Sequence, residues 1–173
     1  LFYSGTEGQP YSYTYRDGAD LLNDDSRDNA LIYVPASQSE ITLEDPSNWS
    51  ALNSFIENND YLSERRGDYV EKNATRGPWT DIVDLRFVQD LIVSKNKLQF
   101  TFDIFNFTNF INQDWGRRYF VGSFGFAQPL RTVTAGPDPV FRFQEGSDDP
   151  RITDFGFSGS RWRAQIGIRY TFK

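Results

Sequence analysis

The last stretch of the chain, residues 161–172, alternates strictly between polar and apolar side chains. From Trp162 onward every even-numbered residue is apolar, whereas the odd-numbered residues include Arg163, Gln165 and Arg169. Because successive side chains of a β-strand point to opposite faces, this pattern predicts a strand with one apolar and one strongly polar face. The run is also long enough to cross a bilayer, which takes about 9–11 tilted residues.

Two kinds of protein contain such a strand: soluble β-sandwiches and membrane β-barrels. Aromatic residues stand at both ends of the apolar face, Trp162 at one end and Tyr170 with Phe172 at the other. Aromatic girdles of this kind mark the two interfaces of a transmembrane barrel. Only Lys173 follows Phe172. These features favour the closing strand of a membrane barrel.

The composition excludes several classes of function. The chain of 173 residues contains no cysteine and no histidine, so thiol or imidazole catalysis and metal sites built on them are not expected. A net charge of -6 argues against nucleic-acid binding, which needs a basic surface. The sequence contains no apolar run of about 18 residues, so it predicts no transmembrane helix. We predict no catalytic residue, no metal site and no enzymatic activity. The lack of methionine and the apolar start at 1–3 lead us to expect residues upstream.

Two further alternating segments, 79–92 and 97–108, flank the short polar stretch Ser94-Lys95-Asn96-Lys97. Two such segments joined by a tight turn predict an antiparallel hairpin. Residues 1–15 alternate through Tyr11, Tyr13 and Tyr15, and predict one more strand, interrupted or bent around Gly5, Gly8 and Pro10.

The segments 16–78 and 109–160 are polar and rich in turn formers, and we interpret them as long loops. Within the first, 31–35 predicts a small strand or packed anchor. Residues 49–56 have helical spacing, with Ser47 or Asn48 as N-cap. Short turns on one side and long loops on the other are typical of membrane barrels. The predicted fold is therefore all-β: about four last strands (1–15, 79–92, 97–108 and 161–172) of a large antiparallel transmembrane β-barrel with two long extracellular loops.

Five short motifs follow one another along the chain: Gly77-Pro78-Trp79, Asp84-Leu85-Arg86, Asp103-Ile104-Phe105-Asn106-Phe107-Thr108-Asn109, Asp114-Trp115-Gly116 and Arg169-Tyr170-Thr171-Phe172. Together they resemble the C-terminal end of a TonB-dependent outer-membrane transporter, in the Oar-like and SusC-like branch typical of Bacteroidetes. Segments 8–12 and 31–35 fit the same branch, so the resemblance spans nearly the whole chain.

This resemblance implies a twenty-two-stranded barrel that is filled by a plug domain and coupled through a TonB box to an energised inner-membrane complex. The plug, the TonB box and the other strands are not among these residues, so the chain alone would not transport. The implied function is active uptake of a nutrient (peptide, glycan or metal chelate) across the bacterial outer membrane. The alternatives are a structural or scaffold barrel that transports nothing, and a soluble all-β enzyme or lectin.

The implied partners are the remainder of the barrel and its plug, the TonB complex, the barrel-assembly machinery, the lipid bilayer and a surface lipoprotein over the loops. Nucleic acid is not expected. The final strand carries the assembly signal that the family implies, although Lys173 departs from its usual aromatic end. The residues of that signal are Ile166, Ile168, Tyr170 and Phe172.

Three groups of side chains are candidates for a site. The polar strand faces would meet the barrel lumen, where they either form a charge network or line a substrate path; they carry Asp84, Arg86, Asp103, Gln165 and Arg169. The aromatic residues of the long loops either pack the loops or hold a ligand; they are Trp49, Phe55, Trp115, Tyr119 and Phe120. The acidic stretches 17–28 and 145–149 either are solvated or supply oxygen ligands to calcium.

Overall fold

The computed structural model describes residues 1–16, 18–26, 28–121, 125–144 and 159–172. Strands make up 42% of the structure and helices are few, so the chain is all-β in character. Its helices are α1 (Trp49–Glu57), α2 (Asp60–Ser63) and α3 (Phe107–Ile111). Its strands are β1 (Phe2–Thr6), β2 (Pro10–Tyr13), β3 (Tyr33–Val34), β4 (Thr42–Leu43), β5 (Asp68–Tyr69), β6 (Thr75–Arg76), β7 (Thr80–Val93), β8 (Asn96–Phe105), β9 (Phe126–Ala127), β10 (Leu130–Thr134), β11 (Val140–Phe143) and β12 (Arg163–Thr171).

The chain divides into two compact units. The first, which we name the sheet unit, comprises the described residues 1–8, 78–119 and 159–172. The second, which we name the loop unit, comprises the described residues between 9 and 77 and between 120 and 144. Of the helices in the described part of the chain, none is long and apolar enough to cross a membrane.

The sheet unit is built on four antiparallel strands in the order β1-β7-β8-β12, which is also their order along the chain. β7 and β8 form a hairpin in which Val93 pairs with Asn96, so the loop has only two residues. Ser94 supplies the positive φ of +59° that such a tight loop requires. Within the described residues the sheet is open, with β1 and β12 at its edges.

All long connections leave the sheet unit at one end. β1 finishes at Thr6, which pairs with Thr80 at the start of β7. β8 finishes at Phe105, which pairs with Arg163 at the start of β12. The segments 7–79 and 106–162 therefore begin and end on the same side of the sheet, opposite the two-residue hairpin loop.

The loop unit packs short strands and two helices around one hydrophobic core. β2 pairs with β6 and, in parallel, with β9; β11 pairs with β10 and, in parallel, with β4. β3 pairs with β5. The core draws on both long segments of the chain, and its buried members are Tyr11, Tyr13, Tyr15, Ala30, Ile32, Val34, Leu43, Leu52, Ile56, Leu62, Val70, Val121, Ala127, Leu130, Phe141 and Phe143.

The predicted helix over 49–56 is confirmed, and it buries Leu52 and Ile56, one turn apart. Its predicted cap is only half right. Asn48 occupies the N-cap position, but its side chain makes no capping bond. The capping carboxylate is instead that of Asp45, which accepts the N–H of Ser47 at 2.9 Å and starts the 3₁₀ turn Pro46–Asn48.

The strand predicted over 1–15 is interrupted, as one of the two interpretations predicted, but its two halves are not parts of a single strand. β1 and β2 belong to different sheets and different units. The break falls at residues 7–9, directly before Pro10, which lacks the N–H that a continuous ladder would use. The short patch at 31–35 does form a strand, β3, whose Val34 is buried.

The strand predicted to extend through residue 108 ends at Phe105. Asn106 takes up left-handed backbone with φ of +54°, and α3 follows at once. Asparagine tolerates this conformation better than other residues that carry a side chain, because its short amide bonds to nearby backbone. The alternation of Phe105 and Phe107 with Asn106 and Thr108 is therefore not continuous strand.

Candidate functional site

The register of the sheet unit places the predicted polar residues on one face. Arg86, Asp103 and Gln165 stand directly opposite one another across three strands. Arg86 Nε lies 3.5 Å from Asp103 Oδ1, and the Asp103 side chain is largely covered. Arg169 lies two rows away on the same face, opposite Gln99.

A second charge cluster lies nearer the hairpin loop on the same face. Lys97 Nζ lies 2.7 Å from Asp90 Oδ2, and Gln99 Nε2 donates to Asp90 Oδ1 at 2.8 Å. Since Gln99 also pairs with Arg169, the cluster extends across β7, β8 and β12. Sequence reasoning missed Asp90 and Lys97, although their opposite charges flank the turn.

The other face of the sheet unit is apolar in successive rows. Phe87, Phe102 and Ile166 form one row, and the Phe87 and Phe102 rings lie 6.4 Å apart. Their side chains remain exposed in the described structure, Phe87 at 57% and Ile166 at 75%. Ile168 and Tyr170 continue this face toward Phe172. An apolar surface of this extent on a protein marks contact with a partner or with lipid.

At the other end of β8, the chain turns through the buried Asn106. The backbone N–H of Asn106 donates to Asp84 Oδ1 at 2.7 Å, and its side-chain amide donates to the carbonyl oxygen of Gly116 at 2.8 Å. The Thr108 hydroxyl donates to Asn106 Oδ1 at 2.8 Å. Gly116 has φ of +61°, and a Cβ there would lie 2.1 Å from Asn106 Oδ1, so this contact requires glycine.

Asn109 extends these bonds to the last strand. Its side-chain N–H groups donate to the carbonyl oxygens of Gln113 and Trp115, both at 2.9 Å. Its Oδ1 accepts the N–H of Trp162, just before β12, at 3.2 Å. Residues from three of the motifs that carry the resemblance therefore meet in one hydrogen-bonded cluster, which we name the corner network: Asp84, Asn106, Thr108, Asn109 and Gly116.

The corner network changes the interpretation of Asp84. Its carboxylate accepts a backbone N–H and thereby holds the place where β8 ends. That contact stabilises the fold whether or not the polar face lines a lumen.

The predicted loop aromatics are divided between the units. Trp49 and Phe55 lie on α1 and pack against the core of the loop unit, where the Phe55 ring lies 5.8 Å from that of Phe143. Trp115 and Tyr119 belong to the sheet unit, and Phe120 to the loop unit. For Trp49 and Phe55, packing is therefore the observed role.

The loop unit contains a cavity of about 660 Å³ that sequence reasoning missed. Its wall includes Tyr15, Tyr33 and Tyr69 from three distant segments, together with Phe141. The Tyr15 ring stacks on Phe141 at 4.7 Å, and Tyr33 meets Tyr69 edge-on at 5.3 Å. Glu40 stands at the wall as its carboxylate. In the sequence, only the apolar patch at 31–35, predicted to be a small strand or packed anchor, indicated ordered structure at this site.

The polar groups of the cavity are held by specific hydrogen bonds. Glu40 Oε2 accepts the Tyr33 hydroxyl at 3.0 Å and the backbone N–H of Ala36 at 2.8 Å. The Tyr15 hydroxyl accepts the N–H of Tyr33 at 3.1 Å. Burial raises the pKa of Tyr15 to about 12. The hydrogen bond from the Tyr33 N–H lowers this pKa, whereas the neighbouring phenols of Tyr69 and Tyr33 raise it further.

The acidic stretch at 17–28 bonds to its own backbone where it is described. Asp20 accepts the N–H groups of Leu22, Asn23 and Asp25. Hydrogen bonds from the Ser26 hydroxyl and N–H lower the pKa of Asp24. In the part of the chain that the structure describes, no three acidic side chains group as a metal site requires. Asp17 and the stretch 145–149 lie outside the described residues.

In comparisons with known proteins, no protein-family model matches the chain, and neither a curated protein nor a solved structure is significantly similar to it.

Proposed function

We propose that the chain is the C-terminal barrel segment of a TonB-dependent outer-membrane transporter of the Oar-like and SusC-like branch, which takes up a nutrient across the bacterial outer membrane. The observation that carries this proposal is the two-faced sheet unit. Four consecutive antiparallel neighbours share one exposed apolar face and one face of paired charges. A barrel wall between lipid and a polar lumen has this construction.

Two further features support the proposal. The hairpin loop between β7 and β8 has two residues, whereas the connections from β1 to β7 and from β8 to β12 are long. Short turns on one side and large loops on the other are typical of outer-membrane barrels. In addition, residues from three of the motifs behind the family resemblance meet in the corner network, which fixes the end of β8 and the start of β12.

The proposed partners follow from the edges of the sheet. β1 and β12 expose backbone donors and acceptors that would be costly in hydrocarbon, so strands of the remaining barrel would pair with them. The plug and the TonB complex would complete the transporter, and the barrel-assembly machinery would read Ile166, Ile168, Tyr170 and Phe172. Peptide, glycan and metal chelate remain the candidate nutrients.

Spin labels placed singly along 163–171 test the membrane assignment. In the full-length protein in liposomes, labels at 164, 166, 168 and 170 should collide with oxygen dissolved in lipid. Labels at 165, 167 and 169 should instead collide with a water-soluble nickel chelate. Water exposure at both sets of positions would reject the membrane face.

Transport and scaffolding are separated by a second measurement. The purified periplasmic domain of TonB should bind the full-length protein in detergent. Alternating spin-label accessibility without any TonB binding would support a scaffold barrel and reject the transporter.

A further inference from the structure

We infer that the cavity of the loop unit binds a small organic cation, an ammonium or guanidinium group attached to an apolar body. The proposal concerns binding by this unit and does not require the outer-membrane assignment. Its basis is the combination of cavity size, lining chemistry and charge distribution.

The size and apolar wall of the cavity suit a small molecule. Ligand pockets commonly measure about 300–1,000 Å³ and are lined mainly by apolar and aromatic side chains. This cavity, at about 660 Å³, lies within that range. Leu21, Ile41 and Pro139 contribute aliphatic wall, and the stacked pair of Tyr15 and Phe141 contributes aromatic wall. An aliphatic or aromatic body would replace water against these surfaces.

The polar part of the cavity offers acceptors and ring faces. Glu40 uses Oε2 for both of its hydrogen bonds to Tyr33 and Ala36, so Oε1 takes part in neither. The carboxylate is thus fixed in position by the protein while one oxygen remains for a ligand donor. Tyr33 and Tyr69 present ring edges and faces beside it, and a cation over a tyrosine face is attracted by the ring quadrupole.

The charge distribution selects against anions. The described lining includes Glu40 but neither lysine nor arginine, so a carboxylate or phosphate ligand would meet no opposite charge there. Residues 9–77 and 120–144 contain 14 Asp and Glu against 8 Lys and Arg. This excess equals the net charge of -6 of the whole chain. The field of the loop unit would therefore concentrate cations around the cavity.

Calorimetric titration of the full chain in a non-ionic polyoxyethylene detergent tests the inference. The probes are phenethylammonium, its neutral isostere 2-phenylethanol and the anion 3-phenylpropionate. We expect the cation to bind at least about tenfold more tightly than the alcohol, because a hydrogen bond to a charged group is worth that much, and the anion not to bind. Equal affinities for cation and alcohol, tighter binding of the anion, or no binding of the cation at millimolar concentration would overturn the inference.

Variants place the binding in this cavity. Glu40→Gln keeps an oxygen that can accept from Tyr33 and Ala36 but removes the charge, so the preference for cation over alcohol should fall to the roughly threefold that a ring face contributes. Tyr69→Leu, at an exposed position, should weaken cation binding by about threefold through loss of a ring face. Glu64→Gln removes one charge of the same unit away from the cavity wall and should bind like the parent protein. Cation binding that survives Glu40→Gln unchanged would locate the site elsewhere and reject the proposal.

Discussion

Gly116 is the position where a single methyl group should damage the corner network most. With φ of +61°, an alanine there would have left-handed backbone, and its Cβ would lie 2.1 Å from Asn106 Oδ1. The strain costs about 1–2 kcal/mol. Displacing Asn106 also breaks the bond from its amide to the Gly116 carbonyl, and leaving these buried groups unpaired costs about 1–3 kcal/mol more. We therefore expect Gly116→Ala to lower the free energy of unfolding by about 2–5 kcal/mol.

Urea unfolding of the full chain in detergent, followed by far-UV circular dichroism and tryptophan fluorescence, measures this loss. Three of the four tryptophans, Trp79, Trp115 and Trp162, belong to the sheet unit and report on it. Gly67→Ala is the control, because Gly67 has φ of +81° but its Cβ would meet nothing closer than 3.9 Å. That variant should lose only the backbone term, about 1–2 kcal/mol.

A double-mutant cycle decides whether the clash is the cause. Asn106→Gly removes the nearer of the two side-chain oxygens that the new Cβ would meet, the other being Thr108 Oγ1 at 2.6 Å, and glycine accepts the φ of +54° at position 106. In the Asn106→Gly background, Gly116→Ala should therefore cost at least about 1 kcal/mol less than in the parent protein, because no hydrogen bond of Asn106 is left to break. If the two single losses instead add to within about 0.5 kcal/mol, the contact between Asn106 and Gly116 contributes nothing and the reasoning fails.

Three further predictions concern charged and titrating groups. Arg86→Ala and Asp103→Ala, made singly in the full-length protein, should lower stability by about 1 kcal/mol or less, because Arg86 is exposed. The proposed uptake per folded molecule should stay unchanged. Heat denaturation and uptake assays check this, and lost uptake at normal stability would place the pair on a substrate path. Tyr15 has a folded pKa of about 12 against an ordinary value of 10.0, so stability is unchanged by its titration below pH 10 and falls by about 2 kcal/mol as the pH rises to 12, because the phenolate is disfavoured by burial. Tyr15→Phe should remove this pH dependence in unfolding measurements. The hydrogen bond from Arg142 holds the pKa of Glu44 below its ordinary value of 4.5, so stability should fall as the pH drops below that value, and less steeply in Glu44→Gln.

Local alternation was enough to predict three of the four strands of the sheet unit. The strands expected at 79–92, 97–108 and 161–172 are observed at Thr80–Val93, Asn96–Phe105 and Arg163–Thr171. The period of two also places Arg86, Asp103 and Gln165 on one face, because every residue in a regular antiparallel ladder keeps its side. The overshoot at Thr108 has a local cause as well: apolar residues continue to alternate, but Asn106 leaves the extended conformation.

The loop unit could not be predicted in this way. β2 pairs with β9, which is more than 100 residues away, and such short strands carry little periodic signal. The cavity depends on the same long-range pairing, since Tyr15 and Phe141 stack across 126 residues of chain. The residue types alone predict neither the pairing of β2 with β9 nor the stacking of Tyr15 on Phe141. The sequence predicts two long polar loops, but most of their residues form one packed unit, because aromatic residues far apart in the chain share a core.

The two parallel pairings of the loop unit limit how this protein can be re-engineered. β9 pairs with β2, and β11 pairs with β4. Strands from the segment around 126–143 are therefore the direct neighbours of strands from the first part of the chain. Deleting or grafting the segment around 126–143 alone would uncover Tyr13 and Leu43 on the segment left behind. Transfer of the loop unit to another protein should therefore move both segments together, because neither segment forms these sheets alone.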